Sequence, residues 1–166
     1  MKVIVAVDRY WGIGAQNDLL FKLPMDMMRF RALTNGHTVL MGYITLLSFP
    51  GGKPLKNRRN IVLAPEGVER DDCVIVHSLD QLKEVLKGED ADQAFVIGGA
   101  MFYHTMLPYC KEALITKVDA VKKADVRFDN LDEMPNWQLV ESADPIFDNG
   151  QRIQFCTYIN KDVKPF

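Results

Sequence analysis

The chain has few cysteines, little excess of charge and no long apolar run. Its three cysteines, Cys73, Cys110 and Cys156, are an odd number without a CxxC pair, so the sequence indicates neither a disulfide framework nor a zinc site. A net charge of -2 gives no reason to expect nucleic acid or a membrane surface as a partner. No segment approaches the roughly 18 apolar residues of a membrane helix, and the first residues are too polar for a signal peptide. The default expectation is a cytoplasmic protein.

Residue groupings that mark metal or nucleophilic sites are also missing. The histidines His37, His77 and His104 have no ligand-like spacing, and we expect no metal. Asp26, in FKLPMDMMRF, has no histidine or cysteine partner nearby, which argues against a nucleophilic triad. Asp26 either complements a helix dipole or is a lone carboxylate in an apolar cleft, where it could pair with an amidine-like heterocycle.

What is present is the pattern of a single α/β domain spanning residues 1–166. Short apolar runs predict strands at 2–7, 37–42, 59–65, 73–78, 94–99 and 112–120. Helical patterns lie between them, at 24–34, from Thr45, at 79–88 and at 100–110, whereas residues 10–24 are predicted to form a loop. This alternation predicts a mostly parallel sheet with helices on both faces. The tail predicts two antiparallel strands joined by a hairpin at Asp148-Asn149-Gly150.

Three glycine turns are predicted at the carboxyl ends of strands, where parallel sheets bind ligands. At Gly12 and Gly14 the dinucleotide fingerprint fails, because Asn17 stands where a third glycine is required. Gly42 is consistent with either a plain turn or a backbone anion site. Gly98-Gly99 indicates either close approach of a ligand or a tight contact between helix and strand. Arg58, before the third strand, is either a solvated basic residue or a fork for a ligand carboxylate.

Several segments, in order and over nearly the whole chain, resemble dihydrofolate reductases of the bacterial type. They include IVAVDRYWGIGAQNDLLFKLPMDMMRF, SFPGGKPL, RRNIVL, VIGGAMFY, EALITKVDA and ADVRF. The resemblance implies an eight-stranded sheet with four main helices. It also implies reduction of 7,8-dihydrofolate to tetrahydrofolate, with hydride passing from NADPH to pterin C6 and a proton added at N5. Further implications are a role in one-carbon metabolism, inhibition by antifolates and a monomeric state.

The same resemblance assigns site residues. Asp26 matches the active-site carboxylate, Thr116 matches the hydroxyl that supports it, and Phe21 stands where many members have tryptophan. Arg58 matches the arginine that binds the glutamate α-carboxylate. The other substrate-binding positions are Val5, Ala6, Met27, Phe30, Phe49 and Leu55. The cofactor-binding positions are Ala6, Ile13, Gly14, Leu19, Gly42, Tyr43, Thr45, Leu63, Ala64, His77, Ile97, Gly98, Gly99, Ala100, Met101 and Tyr103. Residues 14–21 match the mobile loop that closes over the nicotinamide, with Leu19 at its tip.

Departures from the family pattern cluster where the adenosine end of the cofactor would bind. Compared with the family pattern, Tyr43 and Ile44 replace the usual basic residues after Gly42, and Met101 replaces an arginine or polar residue. After NIVL, Ala64 and Pro65 stand where the family often has polar or basic residues. We therefore expect reduced discrimination between NADPH and NADH, with His77 and Arg59 as candidates to compensate.

Two alternatives remain open at this level. One is a pyrimidine reductase of riboflavin biosynthesis on the same fold, which does not require the combination of Asp26, Phe30 and Arg58. The other is a ligand-binding relative that has lost its cofactor, which Tyr43 and Met101 would allow.

Overall fold

The protein is described by a computed structural model over residues 1–87 and 91–166. In this part of the chain the strands are β1 (Lys2–Val7), β2 (Gly12–Ala15), β3 (Asp18–Leu19), β4 (Thr38–Gly42), β5 (Arg59–Leu63), β6 (Val74–Val76), β7 (Phe95–Val96), β8 (Glu112–Val118), β9 (Val126–Arg127), β10 (Trp137–Ser142), β11 (Ile146–Asp148) and β12 (Gln151–Asn160). The α-helices are α1 (Pro24–Thr34), α2 (Tyr43–Ser48), α3 (Leu79–Leu86) and α4 (Ala100–Met106). None of the described helices is long and apolar enough to cross a bilayer.

The main sheet has the strand order β10-β12-β8-β1-β7-β4-β5-β6, and β11 pairs with β12 at one end. Pairing is parallel from β8 through β6 and antiparallel wherever β12 takes part. The predicted α/β fold, with a mostly parallel sheet and antiparallel C-terminal strands, is therefore confirmed.

Alternate residues of the central strands divide the core between the two faces of this sheet. Val3 and Leu40 belong to one buried cluster, which contains side chains of α3 and α4. Ile4 and Met41, one residue further along, belong to a second cluster, against which side chains of α1 and α2 pack. Because successive residues of a strand point to opposite faces, helices cover both sides, and the nearly all-apolar sequences of β1 and β4 follow from this double burial.

Residues 10–24, predicted as a loop, instead contain a small hairpin, and this prediction was wrong. β2 pairs antiparallel with β3 on one side and with β9 on the other, in a separate three-stranded sheet. Their two-residue turn, Gln16-Asn17, has positive φ at both positions, 52° and 60°. Such turns are usually built with Asn-Gly or Asp-Gly, so this one carries a weak sequence signal.

Other boundaries differ by a few residues. α2 begins at Tyr43 and not at Thr45, because Gly42 is already extended and serves as the N-cap. The 100–110 helix ends at Met106, and Leu107–Tyr109 forms a 3₁₀ turn around a proline. α3 ends at Leu86, and the predicted end at Gly88 lies outside the described residues. The tail contains three strands and not two, although the Asp148-Asn149-Gly150 turn joins β11 to β12 as predicted.

Candidate active site

The centre of the site is a pair formed by Asp26 and Thr116. Pro24 suits the first position of α1, which places Asp26 in the first turn of the helix, partly buried. Thr116 lies in β8, is 2% exposed, and donates its hydroxyl to Asp26 Oδ1 at 2.6 Å. The fold thus brings together two residues that are 90 positions apart in the chain.

The surroundings of Asp26 make its charged form costly. Burial raises the pKa of Asp26, and the nearby Asp148 carboxylate adds to this effect. The Thr116 hydrogen bond and the positive charge of Arg29 act in the opposite direction and lower the pKa. A carboxylate with a raised pKa, held by one hydroxyl at the edge of an apolar cluster, has the properties expected of a functional group.

The apolar side chains predicted to contact substrate differ in packing and exposure. Phe30, Phe49 and Leu55 pack against one core cluster, as does Ile97 of the cofactor set. Val5 and Ala6 are partly buried in β1, while Met27 of α1 is 46% exposed. Tyr103 is buried and donates its hydroxyl to the Ile4 carbonyl at 2.8 Å; burial raises its pKa, and the nearby charge of Asp26 adds to this effect. Of these residues, Tyr103 therefore lies near Asp26, and Ala6 is the sheet partner of Thr116.

Arg58 precedes β5 and lies near the C-terminal end of α1. Its guanidinium donates to the Lys56 carbonyl at 2.8 Å and to the Thr34 hydroxyl at 3.2 Å. Burial and the neighbouring Arg31 both lower its pKa, which shows that two positive charges lie close together. Asn60, which sequence reasoning missed, is buried and bonds the Leu55 amide and both the Leu55 and Arg58 carbonyls at 2.9 Å. It therefore fixes the loop that presents the Arg58 side chain.

Phe21 and the predicted mobile loop are tied to the 120s segment. Phe21 is buried, and the Lys122 ammonium lies 4.8 Å from its ring centroid. The same ammonium donates to the Leu20 carbonyl at 2.9 Å. Asp125 accepts the Gln16 amide at 2.9 Å. Sequence reasoning singled out neither of these two anchors.

The loop residues of the cofactor set differ in exposure. Leu19 is 66% exposed, whereas Ile13 and Gly14 are buried in β2. The tip of the loop is therefore accessible, while its base belongs to the core.

The ends of β4 and β7 meet at a junction formed by Gly42, Thr45, Gly98 and Gly99. The Gly42 amide donates to the Gly98 carbonyl at 2.9 Å. A Cβ at Gly98 or Gly99 would lie 3.2 or 3.3 Å from the Thr45 hydroxyl oxygen, closer than most real contacts. Gly98 also has a φ of 138°, and its peptide bond to Gly99 is cis. Only glycine fits this close approach, and Ala100 follows directly as the first residue of α4.

The remaining residues of the cofactor set lie at neighbouring strand and helix ends. Leu63 ends β5, Ala64 follows it, and the His77 ring nitrogen Nδ1 is 3.1 Å from the Ala64 carbonyl. Met101 is 86% exposed and Ile44 is 63% exposed. Tyr43 is partly buried against the α1–α2 side of the core. The side chains at the departures from the family pattern are therefore apolar and partly accessible.

A sequence model of the family described as "Dihydrofolate reductase" matches residues 1–161. The chain belongs to the dihydrofolate reductase family. It is 37% identical over 163 residues to a dihydrofolate reductase of Bacillus subtilis, which covers 96% of this chain and 94% of that protein. It is 28% identical to one of Staphylococcus haemolyticus, over 99% of this chain and 96% of that protein, and 29% identical to one of Staphylococcus aureus, over 92% of each.

Family membership establishes the reaction. The protein is an oxidoreductase that reduces dihydrofolate to tetrahydrofolate with a nicotinamide cofactor, and it serves one-carbon metabolism. The match over the whole length removes the riboflavin-pathway reductase as an alternative.

Proposed function

We propose that the chain reduces 7,8-dihydrofolate with NADPH as its cofactor, and that it does so as a single-domain, cytoplasmic monomer. The observation that supports the reductase site most directly is the hydrogen bond from Thr116 to the partly buried Asp26. When bound, the cofactor supplies the hydride that is added to pterin C6. The protein's part is to bind, orient and protect the substrate, and to assist protonation of N5.

Asp26 accepts hydrogen bonds from the 2-amino group and the N3 side of the pterin. Paired hydrogen bonds to a carboxylate give both strength and a fixed orientation. Thr116 holds the carboxylate in the rotamer that makes these bonds. Asp26 cannot reach N5 from that side of the ring, so a water molecule carries the proton. Phe21 has no hydrogen-bond donor for such a water, unlike the tryptophan of many relatives, and the water is expected to occupy a different position.

The apolar surface around Asp26 binds the rest of the substrate. Phe30, Phe49 and Leu55, with Val5, Ala6 and Met27, enclose the pterin and benzoyl groups. Arg58 binds the glutamate α-carboxylate, because its guanidinium is already oriented by Thr34 and by the Lys56 carbonyl.

The glycine junction and its surroundings hold the cofactor. Gly42, Thr45, Gly98, Gly99 and Ala100 bind the pyrophosphate. Gly98 and Gly99 carry no side chains that could cover their backbone groups beside Thr45, which fits this assignment. The nicotinamide is surrounded by a further set of residues: Ala6, Ile13, Gly14, Leu19, Ile97 and Tyr103.

The adenosine end carries the most distinctive part of the proposal. The residues that contact this end of the cofactor are Tyr43, Leu63, Ala64, His77 and Met101. Tyr43 and Met101 cannot supply a charge to the 2′-phosphate of NADPH. Each charge-assisted hydrogen bond missing there lowers discrimination by about 1.5–3 kcal/mol. NADH is therefore expected to be a usable, though poorer, cofactor.

One assay tests the reaction and the cofactor together. Oxidation of NADPH and of NADH is followed by absorbance with dihydrofolate present, and Asp26→Asn serves as the control that keeps the fold. We expect turnover with both cofactors and a preference for NADPH. If neither NADPH nor NADH supports turnover, the proposed reductase activity is refuted. A preference for NADPH above about a thousandfold in kcat/KM corresponds to more than about 4 kcal/mol of discrimination. That result would refute the weakened discrimination but not the reductase.

Antifolate binding follows from the same carboxylate. A 2,4-diaminopyrimidine presents the amidine-like edge that Asp26 is proposed to bind. We expect such a compound to inhibit the enzyme and to lose most of its affinity for the Asp26→Asn variant. Equal affinity for both proteins, measured by calorimetry, would contradict the assignment.

A further inference from the structure

Asp148 is a buried carboxylate to which the reaction described above gives no role. It is 3% exposed and is the last residue of β11, where the hairpin turns into β12. Its sequence context, Asp-Asn-Gly, accounts for a turn but not for burial of a charged side chain. A carboxylate in such a place needs compensating partners, because transfer from water is costly.

The partner of Asp148 is the backbone of the catalytic helix. Asp148 Oδ2 accepts the amide hydrogen of Asp26 at 3.0 Å. The residue at the N-cap of α1 is Leu23, which has no side-chain oxygen and makes no side-chain cap. The amide of Asp26 is one of the first-turn donors that lack a partner within a helix. Asp148, 122 residues further along the chain, therefore does what a capping side chain does locally.

A second bond holds the same turn against the same segment. Asn149 donates its side-chain amide to the Lys22 carbonyl at 2.9 Å. The two bonds fall on either side of Leu23-Pro24-Met25, the residues that lead into Asp26. The hairpin turn therefore fixes both ends of this short approach to the active site.

Asp148 also acts on Asp26 through charge. Its negative charge raises the pKa of Asp26, while Arg29 lowers it. The ionisable or hydroxyl groups close to Asp26 come from four elements: Arg29 from α1, Thr116 from β8, Tyr103 from α4 and Asp148 from β11. Glu141 of β10 faces Arg29, and its negative charge raises the pKa of Arg29 against the larger lowering effect of burial. Asp148 is thus the acidic neighbour in this set that opposes ionisation of Asp26.

We propose that Asp148 is a positioning residue for the catalytic carboxylate: it holds the Asp26 backbone in place through the amide and sets the charge that the Asp26 side chain experiences. The proposal rests on the catalytic role proposed for Asp26. It makes the C-terminal hairpin a functional part of the active site, although no atom of Asp148 needs to touch the substrate.

Two substitutions separate the backbone effect from the charge effect. Asp148→Asn keeps an oxygen that can accept the Asp26 amide and removes the negative charge. Asp148→Ala removes both. Asp144→Asn, at an exposed position in the connection before β11, is the matched control for loss of one negative charge nearby.

The first measurement is the titration of the Asp26 carboxyl carbon by NMR, with its signal assigned from the Asp26→Asn variant. In Asp148→Asn the Asp26 pKa is expected to fall, because a like charge has been removed. Asp144→Asn is expected to leave it unchanged. An Asp26 pKa in Asp148→Asn that is no lower than in wild type would overturn the charge role.

The second measurement is the pH dependence of kcat and KM for dihydrofolate. In Asp148→Asn, the inflection that Asp26→Asn abolishes should move to lower pH, with kcat within about threefold of wild type. In Asp148→Ala, kcat is expected to fall by about tenfold or more, since small displacements of a catalytic group are costly. Equal kcat values in the two variants would overturn the backbone role.

The outcomes remain separable from the proposed function. If Asp148→Ala does not fold, the Asn variant and its titration still decide the charge role, and hydrogen exchange of the Asp26 amide in the wild-type protein decides the backbone role, since exchange at the rate of an unprotected amide would overturn it. If the wild-type protein shows no reductase activity, the proposed function fails, whereas the NMR titration still reports whether Asp148 acts on Asp26.

Discussion

Replacing Thr116 by valine is the sharpest test of how the carboxylate works. The change removes one hydroxyl from a residue that is 2% exposed and nearly preserves its shape. The bond that is lost joins Thr116 Oγ1 to Asp26 Oδ1 at 2.6 Å, a length typical of hydrogen bonds to an ionised oxygen. Such bonds contribute about 1.5–3 kcal/mol. If this contribution is expressed in the transition state, kcat/KM for dihydrofolate falls about 10- to 150-fold.

The same substitution has a defined effect on pH dependence. The hydrogen bond from Thr116 lowers the pKa of Asp26, so its loss raises a pKa that burial already holds above its ordinary value. A folded-state pKa above the unfolded value means that native stability falls as pH rises through the folded-state pKa. Because the Asp26 pKa is higher in Thr116→Val, the free energy of unfolding falls more with rising pH in this variant than in wild type. The variant is therefore expected to be destabilised more at neutral pH than in acid.

The assay compares wild type, Thr116→Val and Thr116→Ser by steady-state kinetics and by urea unfolding at several pH values. Serine retains the hydroxyl and is expected to stay close to wild type in both. The reasoning would be refuted if valine kept kcat/KM within about twofold of wild type with an unchanged pH profile.

Three further substitutions test separate parts of the site. Asp26→Asn is expected to lower turnover by about 100-fold or more and to raise Tm near neutral pH, because an ionised carboxylate is unfavourable in this buried position; a lower Tm would contradict this. Arg58→Ala is expected to raise KM for dihydrofolate about 10-fold or more, and to leave KM unchanged for a pterin substrate without glutamate. Lys122→Met removes the bond to the Leu20 carbonyl, and faster proteolytic cleavage within residues 14–21 is expected; equal cleavage rates would show that Lys122 does not restrain this loop.

The elements that the sequence predicted well are those with strong local patterns. Lys2–Val7 and Pro24–Thr34 have the predicted bounds, because one is a buried apolar run and the other follows a proline with helical spacing. The β2–β3 hairpin was missed because Gly12–Leu19 has no alternation of apolar and polar residues, and because its turn lacks the usual glycine.

The residues of the site were less predictable from local patterns than the strands and helices were. Asp26 and Thr116 could be paired only through the resemblance, since nothing local links positions 90 residues apart. Asp148, Lys122 and Asn60 were missed for a common reason. Each bonds backbone groups, and a backbone amide or carbonyl looks the same at every position of a sequence.

The position of β12 has a consequence for how the protein is made. This strand follows β8 and β10 in the chain and is synthesised after both, yet it lies between them in the sheet. Phe155 of β12 pairs with Thr116 of β8, so before β12 arrives the strand that carries Thr116 is an open edge. A nascent chain that has already exposed Asp26 and Thr116 still cannot complete the sheet around them. Catalytic competence is therefore acquired only after β12 has been synthesised, and in the interval before it the exposed edge of β8 is prone to pair with the wrong strand.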